Sequence, residues 1–164
     1  MDDLAKDLRA LAVKTAKFME EDLPEIIATE GLNHIKKSFK DEGFTDSSLK
    51  KWKKRKTTDK RGRNITRYRT NRVGRRGSPN KYGRSIVGRP TLTGHATGGN
   101  KLRNSWRAKT RRNSVVFFSY KKYAQRHNEG LDGMPKRQYI GASKVLDSKI
   151  EQKITRSLDR IFKQ

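Results

Sequence analysis

There is no cysteine among the 164 residues, which excludes a disulfide framework, thiolate catalysis and a cysteine-based zinc site. Apolar residues are scarce, at 31% of the chain, and no run of them approaches the roughly 18 residues that a membrane span needs. The opening Met1-Asp2-Asp3 is acidic where a signal peptide would be basic, so no secretory leader is expected and synthesis is expected in the cytoplasm. Acids are few overall: 17 face 41 lysines and arginines, a net charge of +24. With 35% of residues charged, not every segment can lie against a core, and the length fits a single domain over 1–164.

The shortage of acids is local. Residues 1–49 hold 7 basic and 11 acidic side chains, a net −4, as an ordinary helical surface does. Residues 50–90 hold 17 basic side chains and one acid, Asp59, a net +16. Residues 91–164 hold 17 basic and 5 acidic, a net +12. The middle stretch has few large apolar side chains (Trp52, Ile65, Tyr68, Val73, Tyr82, Ile86 and Val87), none in sustained register, and is broken by Gly62, Gly74, Gly77, Pro79, Gly83 and Gly88. Self-repulsion and backbone entropy oppose its folding alone, so 50–90 reads as a basic arm ordered by a partner. Its deletion over 50–89 is expected to leave a folded core.

Around the arm the pattern is α+β: two N-terminal helices, a small antiparallel sheet and a long C-terminal helix. Leu4, Leu8, Leu11, Thr15, Phe18 and Met19 recur at helical steps, with Asp2 and Asp3 suited to the dipole at the start. A second helix is expected from Leu23 to Lys40, opened by Asp22 and Glu25 at capping-box spacing with Pro24 in its first turn, and stopped at Gly43. Ile26, Leu32, Ile35 and Phe39 form its buried set, alternating with Ile27, Glu30, His34 and Lys37. Ser114–Tyr120 is rich in β-branched and aromatic residues and reads as a strand, with Leu102–Lys109 as its hairpin partner. Gln138–Gly141 is a weaker strand candidate. From Ser143 to Phe162 an apolar face of Val145, Leu146, Ile150, Ile154, Leu158, Ile161 and Phe162 marks the last helix. No internal repeat is visible.

Nothing in the chain has the spacing of a catalytic or metal centre. His34, His95 and His127 are scattered, Thr93–Gly99 lacks the residue order of a phosphate-binding loop, no serine sits in a nucleophile elbow, and Asn64-Ile65-Thr66 matters only in a secreted chain. No enzymatic activity, cofactor or metal is expected. The arm offers a different chemistry. Lys50, Lys51, Trp52, Lys53, Lys54 and Arg55, then Arg61, Arg63, Arg67, Tyr68, Arg69, Arg72, Arg75 and Arg76, interleave aromatics with cations. That mixture suits contacts to phosphates and unpaired bases, and equally to an acidic protein surface.

The second half carries an ordered string of short motifs: Pro90-Thr91-Leu92-Thr93-Gly94, Lys101-Leu102-Arg103-Asn104-Ser105-Trp106, Tyr123-Ala124-Gln125-Arg126-His127-Asn128-Glu129-Gly130, and Pro135-Lys136-Arg137-Gln138-Tyr139-Ile140-Gly141. In order and spacing these resemble the virion morphogenesis (tail-completion) family of Mu-like and related tailed phages. Six residues separate Gly94 from Lys101 where the family sets them close together, and Tyr139-Ile140 replaces the family's Phe-Leu. The resemblance implies a non-enzymatic protein of the virion, at the tail or head–tail junction. It would complete or terminate the tail, or join it to the head, as a homo-oligomeric ring, a hexamer by analogy. Its partners would be tail-tube or neck proteins and DNA in the channel, with no membrane. The motif positions Leu92, Gly94, Leu102, Arg103, Ser105, Tyr123, His127, Gly130, Pro135 and Arg137 become candidate interface or structural positions. Tyr123, with Ala124, would anchor a strand end in the core, while Gly130 and Gly133 let the chain turn before Pro135. Arg137 would pair with an acid across a subunit boundary or pack its stem over the sheet. The alternative function is a basic nucleic-acid-binding protein using the 50–90 arm.

Overall fold

A computed structural model describes residues 2–92, 99, 101–112 and 114–163. The N-terminal helices α1 (Asp2–Lys17) and α2 (Leu23–Asp41) are joined without a break by one π-helical turn, Phe18–Asp22. The expected capping box at Asp22 and Glu25 does not form, since Asp22 has helical angles (φ −76°, ψ −40°) and makes no side-chain cap. Pro24 explains the wider turn. Lacking an N–H, it cannot extend the ordinary ladder, and the Leu23 N–H instead bonds Phe18 O, five residues back.

The stop also differs from expectation. Glu42, not Gly43, takes the left-handed position (φ 50°), held by its carbonyl accepting from the Trp52 N–H at 2.7 Å and its carboxylate accepting from the Thr91 N–H. Gly43 opens strand β1 (Gly43–Thr45), paired antiparallel with β2 (Leu49–Lys51). A Cβ at Gly43 would lie 2.6 Å from Lys50 O, so glycine is what permits this pairing.

The second hairpin pairs β3 (Trp106–Arg111) with β4 (Ser114–Ser119), from Trp106↔Ser119 to Arg111↔Ser114. The expected strand pair is present, but Leu102–Asn104 is a 3-10 turn rather than strand. Its inward residues, Trp106, Ala108 and Thr110 with Val115, Phe117 and Ser119, face α2. Outward stand Arg107, Lys109 and Arg111 with Val116 and Phe118. Gly31 lets the sheet approach, since a Cβ there would meet the Phe117 ring at 2.2 Å.

Between β2 and β3 lies the short helix α3 (Lys81–Ile86), and after β4 comes α4 (Ala124–Glu129). Gly130 (φ 78°) and Gly133 (φ 71°) turn the chain before Pro135 as expected. Gln138–Gly141 forms no strand, because Asn128 Oδ1 takes both the Tyr139 and Ile140 N–H groups, at 3.0 and 3.1 Å. Helix α5 (Lys144–Phe162) starts at the N-cap Ser143, whose Oγ accepts from Leu146 N–H and donates to Thr45 O. The architecture is mixed α+β with two small antiparallel sheets instead of one larger one. Its core cluster is Ile35, Phe39, Trp52, Leu102, Ala124 and Tyr139. No described helix is long and apolar enough to cross a membrane.

Candidate functional site

The basic arm is folded back on itself. Arg55 donates to Arg89 O and Pro90 O, both at 2.9 Å, and Tyr82 Oη donates to Lys56 O at 2.9 Å, so the two ends of the excursion are pinned together. Inside it, backbone bridges join Thr58 with Asn64 and Arg67 with Pro79. Asn80 caps α3 by accepting from Gly83 N–H. Asp59, the arm's single acid, accepts from Arg63 at 2.7 Å and from the Arg61 and Arg63 N–H groups. Arg67 reaches Gly77 O at 2.5 Å, and Tyr68 lies against Gly74. The scaffold is therefore turns and hydrogen bonds with almost no apolar filling. Arg61, Arg63, Arg67, Arg69, Arg72, Arg75 and Arg76 all stand exposed on it.

The first residues assigned to the arm belong elsewhere. Trp52 is 7% exposed, its ring edge-on to Phe39 at 5.5 Å and its indole N–H donating to Gln138 O at 2.6 Å. It is a core residue and is not placed to touch a partner. Lys50 and Lys51 lie in β2, with Lys51 Nζ donating to Asp41 O, while Lys53 and Lys54 are exposed where the arm leaves the core. The excursion proper thus begins near Arg55.

The motif positions converge, mostly inside the subunit. Leu102 is 2% exposed and Ser105 fully buried, its Oγ bonding Leu102 O and sharing a 2.6 Å contact with Ser119 Oγ. Leu92 (φ 60°) packs on the same cluster. As interface candidates Leu102 and Ser105 are corrected: a contact surface cannot include side chains already enclosed. Tyr123 is exposed rather than an anchor. That role falls to Ala124 and to Tyr139, whose ring stacks on Phe39 at 4.9 Å and whose Oη donates to Ala124 O, with burial pushing the phenol's pKa up. In the sequence Tyr139 and Asn128 stand out only as parts of the motif string. Residue type alone carried no sign that one fills the core and the other replaces a strand partner.

Arg137 is buried with no acidic partner among the described residues. Its Nε donates to Lys53 O at 3.2 Å and its N–H to His127 O at 2.8 Å, and burial with nearby Arg55 lowers its pKa. Burial, then Arg137 and Arg126, pushes His127 down as well, so it is neutral at pH 7. Its ring meets Tyr123 edge-on at 5.8 Å. Arg103 is exposed, Pro135 half-buried, and Gly130 holds the chain close to Lys136, where a Cβ would approach the Lys136 N at 2.8 Å. Gly94 and His95 lie outside the described residues.

A second ionic cluster joins the long helices. Glu30 is 3% exposed and receives Lys149 at 2.7 Å and Lys153 at 2.5 Å, contacts that lower its carboxyl pKa. On α5 no residue is fully buried: Leu146, Ile150, Ile154, Leu158 and Ile161 are half-buried, and Val145 and Phe162, at the two ends of the face, are exposed. On α1, Leu4 and Leu8 are 66% and 57% exposed. An open groove of about 520 Å³, lined in part by Phe18, Ile26 and Ile161, runs between the π turn with the start of α2 and the last turns of α5. Both apolar stripes were legible in the sequence; which of their residues stay exposed, Leu4 and Leu8 on one and Phe162 on the other, was not. No family model, curated protein or solved structure gives a significant match to this chain.

Proposed function

We propose that this is a non-enzymatic structural protein that assembles with copies of itself into a closed ring. In the setting that its motif string resembles, the ring completes or terminates a phage tail or joins it to the head. The observation that carries the reading is the apolar surface left exposed on the first turns of α1 (Leu4, Leu8) and at the end of α5 (Phe162). The middle of the α5 stripe is half-buried in its own subunit, but Leu4, Leu8 and Phe162 are left in solvent, and burying them against a neighbour removes that apolar surface from water. The occupant is a second copy, because the chain carries complementary charge at separate places: net −4 over residues 1–49 and +16 over 50–90. A contact between unlike surfaces is head-to-tail, and such contacts close into rings when the rotation permits.

The test is the solution mass of nuclease-treated protein in high salt, by light scattering behind a sizing column, for wild type and for Leu4→Gln/Leu8→Gln. A closed oligomer that the double substitution reduces to monomer is expected. A wild-type monomer at every concentration would remove the reading, as would an oligomer indifferent to the substitutions.

A further inference from the structure

The outward side of the β3–β4 hairpin and the groove beside it form a second basic surface, separate from the arm. The groove, about 730 Å³, lies between α2 and the start of β3. Its floor is Leu32, Phe39 and Trp106, its rim carries Lys36, Lys40, Arg103 and Arg107, and no described acid lines it. The Trp106 indole nitrogen is buried with no hydrogen-bond partner among the described residues. Arg107 continues the surface onto the sheet, where it sits directly opposite Phe118, with Lys109 opposite Val116 and Arg111 opposite Ser114. Phe118 and the next outward residue, Tyr120, are 46% and 56% exposed, and the Lys121 ammonium stands 5.0 Å from the Tyr120 ring centre.

We propose that this surface binds single-stranded nucleic acid, with Phe118 and Tyr120 stacking on bases and the row Arg107, Lys109, Arg111 following the phosphates. Strand geometry sets alternate residues about 7 Å apart, so the cations form a row along β3, and the rings lie at its Arg107 end, where Phe118 stands opposite Arg107 and Tyr120 follows just past the strand. That is the arrangement a stretched polynucleotide presents in reverse, with charge on one side and flat apolar faces on the other. An acidic protein segment would use the cations but has no need of the exposed Phe118 and Tyr120 rings beside them, which is why a nucleic acid is favoured. The groove with Trp106 at its floor accepts one further base or phosphate at the end of the track.

The experiment uses full-length, nuclease-treated protein and a fluorescein-labelled oligo-dT, with binding read by anisotropy over a salt series. Phe118→Ala/Tyr120→Ala and Lys36→Glu/Lys40→Glu alter exposed side chains, and circular dichroism checks that each is folded. Each pair is expected to weaken binding about tenfold or more, while Arg72→Ala/Arg75→Ala/Arg76→Ala in the arm changes it only a few-fold through charge. Failure to bind oligo-dT at low salt overturns the proposal. So does oligo-dT binding that survives both pairs and is lost in the arm triple, or displacement of oligo-dT by polyglutamate at equal charge. Equal affinity for duplex, unchanged by Phe118→Ala/Tyr120→Ala, would reduce the surface to a charge patch and overturn it too.

Discussion

At the scale of single residues, two side chains carry more than their surroundings suggest. Trp52 sits at the junction of arm and core, where it touches Phe39 and Tyr139 and bonds Gln138. Trp52→Ala is therefore expected to lower stability by about 3–5 kcal/mol, whereas Arg75→Ala, on the exposed arm, stays within about 0.5 kcal/mol; chemical denaturation distinguishes them. Glu30 has its carboxyl pKa held below the ordinary 4.5 by Lys149 and Lys153. Because its folded value is the lower one, its contribution is complete above the ordinary value and is lost as pH falls through the folded value. Wild type should accordingly melt higher than Glu30→Gln at neutral pH, with the gap closing in acid; a constant gap would mean the pair acts through shape alone. His34 and His127 are likewise pushed below 6.5, first by burial. They release protons on folding, so acidification from that value downward destabilises both proteins equally and leaves the comparison intact.

Among the elements, the long helical rod formed by α1, its π turn and α2 is the one on which the others are hung. The β3–β4 sheet packs across α2 at Gly31, and the start of α5 is tied to the β1–β2 hairpin by Ser143 and Asp46. Gly31→Ala pushes a methyl into the Phe117 ring and is expected to cost about 1–3 kcal/mol, read as a lower melting temperature. An unchanged melting point would show that the ring shifts freely and that the sheet is held mainly elsewhere. The same sheet illustrates why strand alternation deserves reading on both faces. W-R-A-K-T-R over 106–111 places every second residue outward, and all three outward residues are cations.

For the whole molecule, the question is where the arm ends and the core begins. Deleting 50–89 removes Trp52 and Arg55 and is now expected to unfold the protein. Deleting 57–87 across a short Gly-Ser bridge keeps both, together with Arg89 and Pro90, whose carbonyls Arg55 holds. Circular dichroism and melting of the two deletions should give an unfolded and a folded product respectively. Two folded products would return Trp52 to the arm, and two unfolded ones would make the excursion itself part of the core.

Composition and periodicity by themselves determined much of this protein. The helical stripes, the strand from Ser114, the last helix from Ser143, the glycine turn before Pro135 and the segregation of charge into 50–90 all rest on local chemistry, which a chain carries wherever it folds. Tertiary structure alone decided the rest. Whether Asp22 starts a helix depends on the rod continuing through Pro24. Whether Gln138–Gly141 is a strand depends on Asn128, ten residues before it. The strands Gly43–Thr45 and Leu49–Lys51 are too short to show a period at all. Above all, the burial of Trp52 within a basic run and the exposure of Leu4, Leu8 and Phe162 on otherwise half-covered apolar stripes are properties of what lies opposite each side chain, and only contacts distant in sequence decide that.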